Sequence, residues 1–188
     1  MITKEELIYR QVVTLRDGAR VLIRPLTRED RQGLLDLFLP VPKDELRFMR
    51  HDVNDPAIVN DWIDNLDYDR IFPLIAIVGD RIVGEATLHF NNGTARHRGE
   101  VRIFLAKDFR RRGLGTKLTQ AIIDLAKRRS LYLLEVQTVR ELSNDIKAME
   151  KVGFEIKCTF EDYHMLPDGE LRDIVHMILQ LRPQEGEF

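Results

Sequence analysis

Hydrophobic and polar residues alternate along several short stretches of the chain, a pattern that predicts β-strands. Two of these stretches, residues 11–15 and 19–24, flank the pair Asp17-Gly18, which is typical of a tight hairpin turn. The further strands predicted in this way cover residues 72–78, 81–90, 99–107, 131–137, 154–160 and 171–179. We therefore expect eight strands, most of them joined to a neighbour by a short turn.

Four other stretches place apolar residues at helical spacing: residues 29–39, 55–67, 113–129 and 143–151. The stretch 55–67 has Asp55 as a candidate cap and Pro56 at the first helical position, and we expect Trp62 to anchor it to the core. Hairpins followed by a strand–helix–strand–helix unit predict an α/β (α+β) fold. Its sheet would be mixed, mostly antiparallel and twisted, with helices on both faces.

Composition narrows the classes of protein that this chain can represent. It has 188 residues, 44% of them hydrophobic and 32% charged, with a formal net charge of -2. We expect one domain over residues 1–188, with residues 1–10 and 183–188 peripheral. The balanced charge gives the whole protein no attraction to nucleic acid or to a membrane surface. Neither a signal peptide nor a membrane-spanning stretch is recognisable, so we expect a soluble, cytoplasmic protein.

Cysteine and histidine give no sign of a metal site. A single cysteine, Cys158, excludes a Cys-rich zinc site, and the five histidines have no zinc-ligand spacing. We therefore expect no metal.

Candidate chemistry is concentrated in residues 100–118, EVRIFLAKDFRRRGLGTKL. An apolar strand leads into a charged loop and then into a helix that begins between Gly113 and Gly115. Glycines let a ligand approach the backbone, and the free N–H groups of a first helical turn attract anions. Because three consecutive arginines precede this turn, a phosphate or pyrophosphate is the expected ligand.

Two common phosphate-binding motifs do not fit this segment. A P-loop needs G-x-x-x-x-G-K-[ST], whereas the spacing from Gly113 to Lys117 is shorter and no hydroxyl residue follows the lysine. A dinucleotide fingerprint needs a third glycine where Leu118 stands, and it belongs near the start of a parallel sheet. We therefore do not expect a nucleotide-phosphate enzyme.

The run Arg110-Arg111-Arg112-Gly113-Leu114-Gly115 fits [Q/R]-x-x-G-x-[G/A], and the chain resembles the GNAT N-acetyltransferase superfamily, whose acetyl-coenzyme A motif this is. Residues 151–154, KVGF, are similar to the "klGF" signature of the family at the right distance downstream. The order of elements from residue 19 to 179 also resembles the family fold. Residues 23–30, IRPLTRED, make the chain most similar to bacterial protein-lysine acetyltransferase domains.

The resemblance implies a donor, acetyl-CoA, and roles for particular residues. The residues that would hold the pyrophosphate are Arg110, Arg111, Arg112, Gly113, Leu114, Gly115 and Thr116. The backbone of Phe104, Leu105 and Ala106 would pair with the pantetheine arm, and the same strand would donate an N–H to the thioester carbonyl. Asn144 has two readings, a pantetheine contact or a first-turn residue that satisfies backbone N–H groups.

A base is needed because an amine acceptor arrives protonated, with a pKa of about 10.4 for lysine. Glu100, thirteen residues before Gly113, matches the catalytic glutamate of the protein-lysine branch, and Glu85 is the second candidate. The alternative for Glu100 is a strand-end glutamate that pairs with Arg98 or Arg102.

The chain departs from the family at one catalytic position. Many members carry a tyrosine four residues before the glycine of "klGF", and here Met149 stands in its place. Tyr132, Tyr163 and His164 are weak substitutes. We expect direct transfer in a ternary complex to a primary amine, with a protein lysine as the favoured acceptor. A small-molecule amine and a non-catalytic acyl-CoA sensor are the alternatives, and the fold is compatible with a homodimer.

Overall fold

The computed structural model describes residues 3–46, 48–49 and 52–181. The expected peripheral segment 183–188 lies outside the described residues, and so do residues 1 and 2.

Eight strands form one sheet in the order β1-β2-β3-β4-β5-β6-β8-β7. The strands are β1 Gln11–Thr14, β2 Arg20–Pro25, β3 Ile71–Val78, β4 Arg81–Phe90, β5 Arg98–Leu105, β6 Leu133–Val139, β7 Glu155–Met165 and β8 Leu171–Gln180. Every neighbouring pair is antiparallel except β5 and β6, which are parallel. The expected mixed, mostly antiparallel sheet is confirmed.

Six α-helices accompany the sheet in the described part of the chain. They are α1 Lys4–Leu7, α2 Arg31–Phe38, α3 Lys43–Leu46, α4 Pro56–Asp64, α5 Leu114–Arg128 and α6 Ser143–Lys151. Asp55 caps α4 as expected, because its carboxylate accepts a hydrogen bond from the Ala57 N–H at 2.9 Å. None of the described helices is both long and apolar enough to cross a membrane.

The structure differs from the sequence prediction at several element boundaries and in two short helices. Helix α4 ends at Asp64 rather than at residue 67, and Asn65 closes it by donating its N–H to the Asp61 carbonyl. Strand β7 continues past residue 160 to Met165, through an irregular stretch in which Asp162 has a φ of +51°. The single-turn helices α1 and α3 were not predicted, since four residues are too few to show a helical period.

Helices pack on both faces of the sheet, and two glycines allow the close approach. A Cβ on Gly33 of α2 would lie 2.9 Å from Ile82 Cδ1. A Cβ on Gly84 would lie 3.3 Å from Leu118 Cδ1 of α5. A register shift in the β3–β4 ladder falls between Ile82 and Gly84, so these near neighbours face opposite sides. Helix α2 therefore covers one face of β4, and α5 covers the other.

The core is centred on strands β3 and β4 and helix α5. Phe38, Phe72 and Leu118 are all less than 2% exposed. Trp62 is partly buried and packs its ring edge-on against Phe38, with 6.0 Å between ring centroids. Trp62 thus anchors α4 at the margin of the core rather than at its centre.

Strands β5 and β6 part soon after they meet. Their parallel pairing covers only Arg98–Glu100 opposite Leu133–Glu135. Strand β5 then continues to Leu105 beside β4, and β6 continues to Val139 beside β8, but β5 and β6 no longer pair with each other. The result is a V-shaped cleft that opens toward the carboxyl ends of both strands, where α5 and α6 begin.

Candidate functional site

The loop that follows β5 has the backbone geometry of an anion-binding turn. A short 3-10 helix, Lys107–Phe109, leads to Arg111 at φ +60° and Gly113 at φ +93°. Gly113 is the N-cap of α5 and provides no side-chain cap. The N–H groups of the first turn of α5 therefore have no partner within the helix, and the helix dipole adds partial positive charge there. This is the cradle that the sequence predicts.

Part of the first hairpin holds this loop in place. The Arg16 N–H donates to the Arg112 carbonyl at 3.2 Å, and Arg112 Nε donates to Asp17 Oδ2 at 2.5 Å. The hydrogen bond from Arg112 holds the pKa of Asp17 below its usual range. The Arg112 guanidinium also lies 4.2 Å from the Phe109 ring centroid. Arg112 therefore acts mainly as a support, whereas Arg111 is exposed.

A surface cavity of about 300 Å³ lies between this hairpin and the start of α5. Its lining consists of Thr14, Leu15, Arg16, Arg112, Gly113, Thr116 and Lys117. Three cationic side chains beside free N–H groups suit a ligand with several phosphates. Arg16 was not among the predicted site residues, because only the tertiary contact between the β1–β2 hairpin and the loop brings it here.

A second, open depression of about 530 Å³ is lined by Thr94, Arg96, His97, Ser130 and Tyr132. It lies at the end of the sheet where β5 begins, away from the glycine loop. It is therefore not part of this site.

Leu105 carries the backbone groups that face the cleft at the end of β5. The Ala106 N–H donates to the Val83 carbonyl at 3.0 Å, and the Ala106 carbonyl accepts from the Phe109 N–H at 2.9 Å. Because antiparallel pairing alternates, the backbone of Phe104 turns to Glu85 on β4 and that of Leu105 turns to the cleft. Of the three residues expected to meet a pantetheine arm, Leu105 is thus the one that offers it a backbone N–H.

Arg110 lies across the opening of the cleft. Its Nε donates to the Leu105 carbonyl at 3.1 Å, and its Nη1 donates to Glu45 Oε2 at 2.8 Å. The guanidinium carbon is 5.9 Å from the Phe104 ring centroid. The first residue of the arginine–glycine motif therefore joins the glycine loop to β5.

Glu100 lies at the last position where β5 pairs with β6, and the cleft begins there. Its side chain is 23% exposed and accepts hydrogen bonds from Arg102, at 3.1 Å from Nε and 3.2 Å from Nη2. The pairing with Arg102 that the alternative reading expected is thus present. It leaves Glu100 partly open to solvent at the closed end of the cleft.

Glu85 lies on β4 between Ile75 of β3 and Phe104 of β5. It is only 8% exposed, and this burial raises the pKa of its carboxyl to about 7. By strand geometry its Cα is about 14 Å from that of Glu100, four residues along and one strand across. The two carboxylates therefore cannot take a proton from the same amine at the same position.

The other predicted residues lie on α6 and near the sheet ends. Asn144 is exposed in the first turn of α6, at the same edge as the glycine loop, and neither of its two readings is decided. Met149 is partly buried against the core. Tyr132 donates its backbone N–H to the His97 carbonyl, at the end of the sheet where β5 begins. Tyr163 lies on the edge strand β7 and is 61% exposed.

In the described part of the chain, no group of three or more His, Cys, Asp or Glu side chains has the geometry of a metal site.

Solved structures share this fold. The GNAT domain of PAT from S. lividans matches with a TM-score of 0.78 and 16% identity, over 96% of this chain and 99% of that one. The acetyltransferase yncA of Salmonella typhimurium, solved with its cofactor acetyl-CoA, matches with a TM-score of 0.75 and 17% identity, over 89% and 98%. Ribosomal-protein-alanine N-acetyltransferase from Brucella melitensis matches with a TM-score of 0.74 and 23% identity, over 84% and 98%.

The family model "Acetyltransferase (GNAT) family" matches residues 36–154, more than half of the chain. The matched region runs from α2 to the start of β7 and includes the cleft, both glutamates and the glycine loop. The chain therefore belongs to the GNAT acetyltransferase family and is an acetyl-CoA-dependent N-acetyltransferase.

Proposed function

We propose that this protein transfers the acetyl group of acetyl-CoA directly to a primary amine of a protein, with a lysine side chain as the favoured acceptor. One observation carries the proposal: the cleft between β5 and β6 has an anion cradle at its open end and Glu100 at its closed end. A donor held by its phosphates at the cradle would extend along Leu105 toward that glutamate.

The cationic cavity supports the placement of the donor. Lys117 of this cavity and the N–H groups of the first turn of α5 would bind the pyrophosphate, with Arg16 close to the remaining phosphate. The exposed Arg111 of the neighbouring loop would add positive charge. The bound donor supplies an activated acyl carbon. The Leu105 N–H would donate to the thioester oxygen as negative charge develops there. Loss of one such donor typically costs ~3 kcal/mol of transition-state stabilisation.

Glu100 is the proposed base, and its position favours it over Glu85. It lies at the closed end of the cleft with its side chain 23% exposed, whereas Glu85 is only 8% exposed. Glu100 would take one proton from the incoming ammonium group and pass it to solvent through its exposed edge. The free amine then forms the new C–N bond, and the second proton that it loses returns to the leaving thiolate. Such base catalysis contributes about 10² to 10⁴ in rate.

A protein acceptor fits the shape of the acceptor side. Arg98 and Arg102, which flank Glu100 along β5, have side chains 41% and 33% exposed, so this face is an open surface. An open surface admits a side chain carried on a large molecule. The resemblance to protein-lysine acetyltransferase domains and the similarity to a ribosomal-protein-alanine N-acetyltransferase also support a protein acceptor.

Met149 supplies no acid for the leaving thiolate. Its side chain packs against the core and carries no hydroxyl. The thiolate would therefore take its proton from the attacking amine.

Glu100→Gln tests the proposal. Thiol release from acetyl-CoA with lysine-containing peptides should fall about 10² to 10⁴-fold in this variant, while calorimetric affinity for acetyl-CoA stays within about twofold. Glu141→Gln is the matched control, because Glu141 is exposed and pairs with Arg172 instead. Thiol release that is equal in wild type and Glu100→Gln would rule out Glu100 as the base. Binding without thiol release in wild type would favour a non-catalytic acyl-CoA sensor instead.

A further inference from the structure

A second carboxylate, Glu135 on β6, lies directly across from Glu100. The two residues are partners in the parallel β5–β6 ladder, at its last position before the strands part. Neighbouring strands are about 4.8 Å apart, so the two side chains leave the sheet side by side on the same face. Glu135 therefore lies at the closed end of the cleft, as Glu100 does.

Two side chains, the Arg98 guanidinium and the His176 imidazole, contact Glu135. Arg98 Nη1 lies 2.9 Å from its Oε1, and His176 Nε2 of β8 lies 3.3 Å from its Oε2. The side chains of Glu135 and His176 are only 13% and 17% exposed. The carboxylate is therefore fixed in orientation and largely shielded from water.

Within the described residues, neither Glu135 Oε1 nor His176 Nε2 makes a hydrogen bond, although both atoms are buried. The contacts with Arg98 and His176 are close enough for ion pairing but lack the alignment of a hydrogen bond. Buried polar atoms are almost always hydrogen-bonded, because leaving one unmatched is destabilising. The carboxylate is therefore held by these two contacts rather than by aligned hydrogen bonds.

An ammonium group matches this position. It brings positive charge and three donors, and it would sit between the carboxylates of Glu100 and Glu135. Arg102 pairs with Glu100 and Arg98 pairs with Glu135. The negative charges of the two carboxylates are therefore balanced when no ligand is bound. A neutral amide or hydroxyl would bring a donor but no positive charge, and it would therefore bind two carboxylates less strongly.

We propose that Glu135, oriented by Arg98 and His176, binds the ammonium group of the acceptor and holds it beside Glu100. This inference rests on the proposed function, because it assigns the residue that selects a primary amine at the same site. Glu135 acts in binding and Glu100 in proton removal, so the two carboxylates have separable effects. His176 is a positioning residue that acts through Glu135.

Steady-state kinetics with a lysine-containing peptide separates these roles. Glu135→Gln should raise KM for the peptide roughly ten- to hundredfold, the effect of losing one charge-assisted hydrogen bond, with kcat within about threefold. His176→Asn should raise KM less than His176→Ala does, because the amide keeps a polar contact with Glu135. Glu141→Gln should leave KM unchanged. An unchanged KM in Glu135→Gln, or an equal loss of kcat in Glu100→Gln and Glu135→Gln, would overturn the assignment.

A binding measurement tests the same assignment without turnover. n-Butylamine, a mimic of the lysine side chain, is titrated into the protein with coenzyme A present, and the ring resonances of labelled histidines are followed by NMR. His176 should shift and saturate in wild type and should not saturate in Glu135→Gln, while His97 stays unchanged. A saturating shift that survives in Glu135→Gln, or none in wild type, would contradict the inference. If no amine supports thiol release but the His176 shift depends on Glu135, catalysis fails and the binding assignment stands.

Discussion

Glu85 gives the most distinctive prediction, because its burial makes stability depend on pH in an unusual direction. The carboxyl is 8% exposed, and burial raises its pKa from 4.5 to about 7. An acid with a raised pKa in the folded state keeps its proton after the unfolded chain has lost its own. Between pH 4.5 and pH 7 the native state therefore binds more protons than the unfolded state, and stability falls as pH rises.

The size of this effect follows from the shift. About two and a half pKa units at ~1.36 kcal/mol each correspond to about 3 kcal/mol. The loss is small below pH 4.5, where both states are protonated, and it is complete above pH 7. Glu85→Gln removes the titrating group. When the pH is raised from 4.5 to 8, the stability of Glu85→Gln relative to wild type should therefore increase by about 3 kcal/mol.

Urea unfolding of wild type and Glu85→Gln at pH 4.5 and pH 8 measures this difference directly. Comparing the two pH values cancels any fixed effect of placing an amide at the site. Glu161→Gln, on the exposed part of β7, should show no such change. Glu85→Gln should also keep thiol release, because Glu100 is the proposed base. A stability difference that is the same at both pH values would show that folding does not raise the pKa of Glu85 and would refute the reasoning.

Three further predictions concern the glycine loop and the cleft. Gly84→Ala places a Cβ 2.8 Å from Leu105 Cδ2 and 3.2 Å from the Phe104 carbonyl, so thermal or urea unfolding should show a loss of about 1–3 kcal/mol. Gly113→Ala places a Cβ in ordinary contact with Arg16, 3.6 Å from its Cγ, but must adopt φ +93°, so calorimetry should show weaker acetyl-CoA binding, with a stability loss of about 1–3 kcal/mol. Arg111→Ala should weaken acetyl-CoA binding a few-fold and reduce its dependence on salt, with unchanged stability, because this side chain is exposed. Unchanged acetyl-CoA affinity in both Gly113→Ala and Arg111→Ala would argue against the loop as the phosphate site.

Local signals were sufficient to predict most of the fold. The turn at Asp17-Gly18, the cap at Asp55 and the helical period over Ser143–Lys151 each depend on neighbours within a few residues, and each is confirmed. The turn-forming glycine at position 113 was recognisable for the same reason. The helix Lys43–Leu46 was not predicted, because four residues are too few to show a helical period.

The acceptor side of the site could not be predicted, because it depends on register between distant strands. Nothing near Glu135 in the sequence indicates that it pairs with Glu100 and meets His176; strands β5, β6 and β8 must first align. The burial of Glu85 likewise depends on β3 and β5 covering both of its sides. Arg16 joins the phosphate site only through the folded hairpin.

A crystal structure of the protein with acetyl-CoA tests the central claim most directly. We expect the pantetheine arm in the cleft between β5 and β6, bonded to the Leu105 N–H, with the pyrophosphate at the first turn of α5 and the thioester directed toward Glu100. Acetyl-CoA bound away from this cleft, or a cleft that remains closed by Arg110 at saturating ligand, would contradict the account.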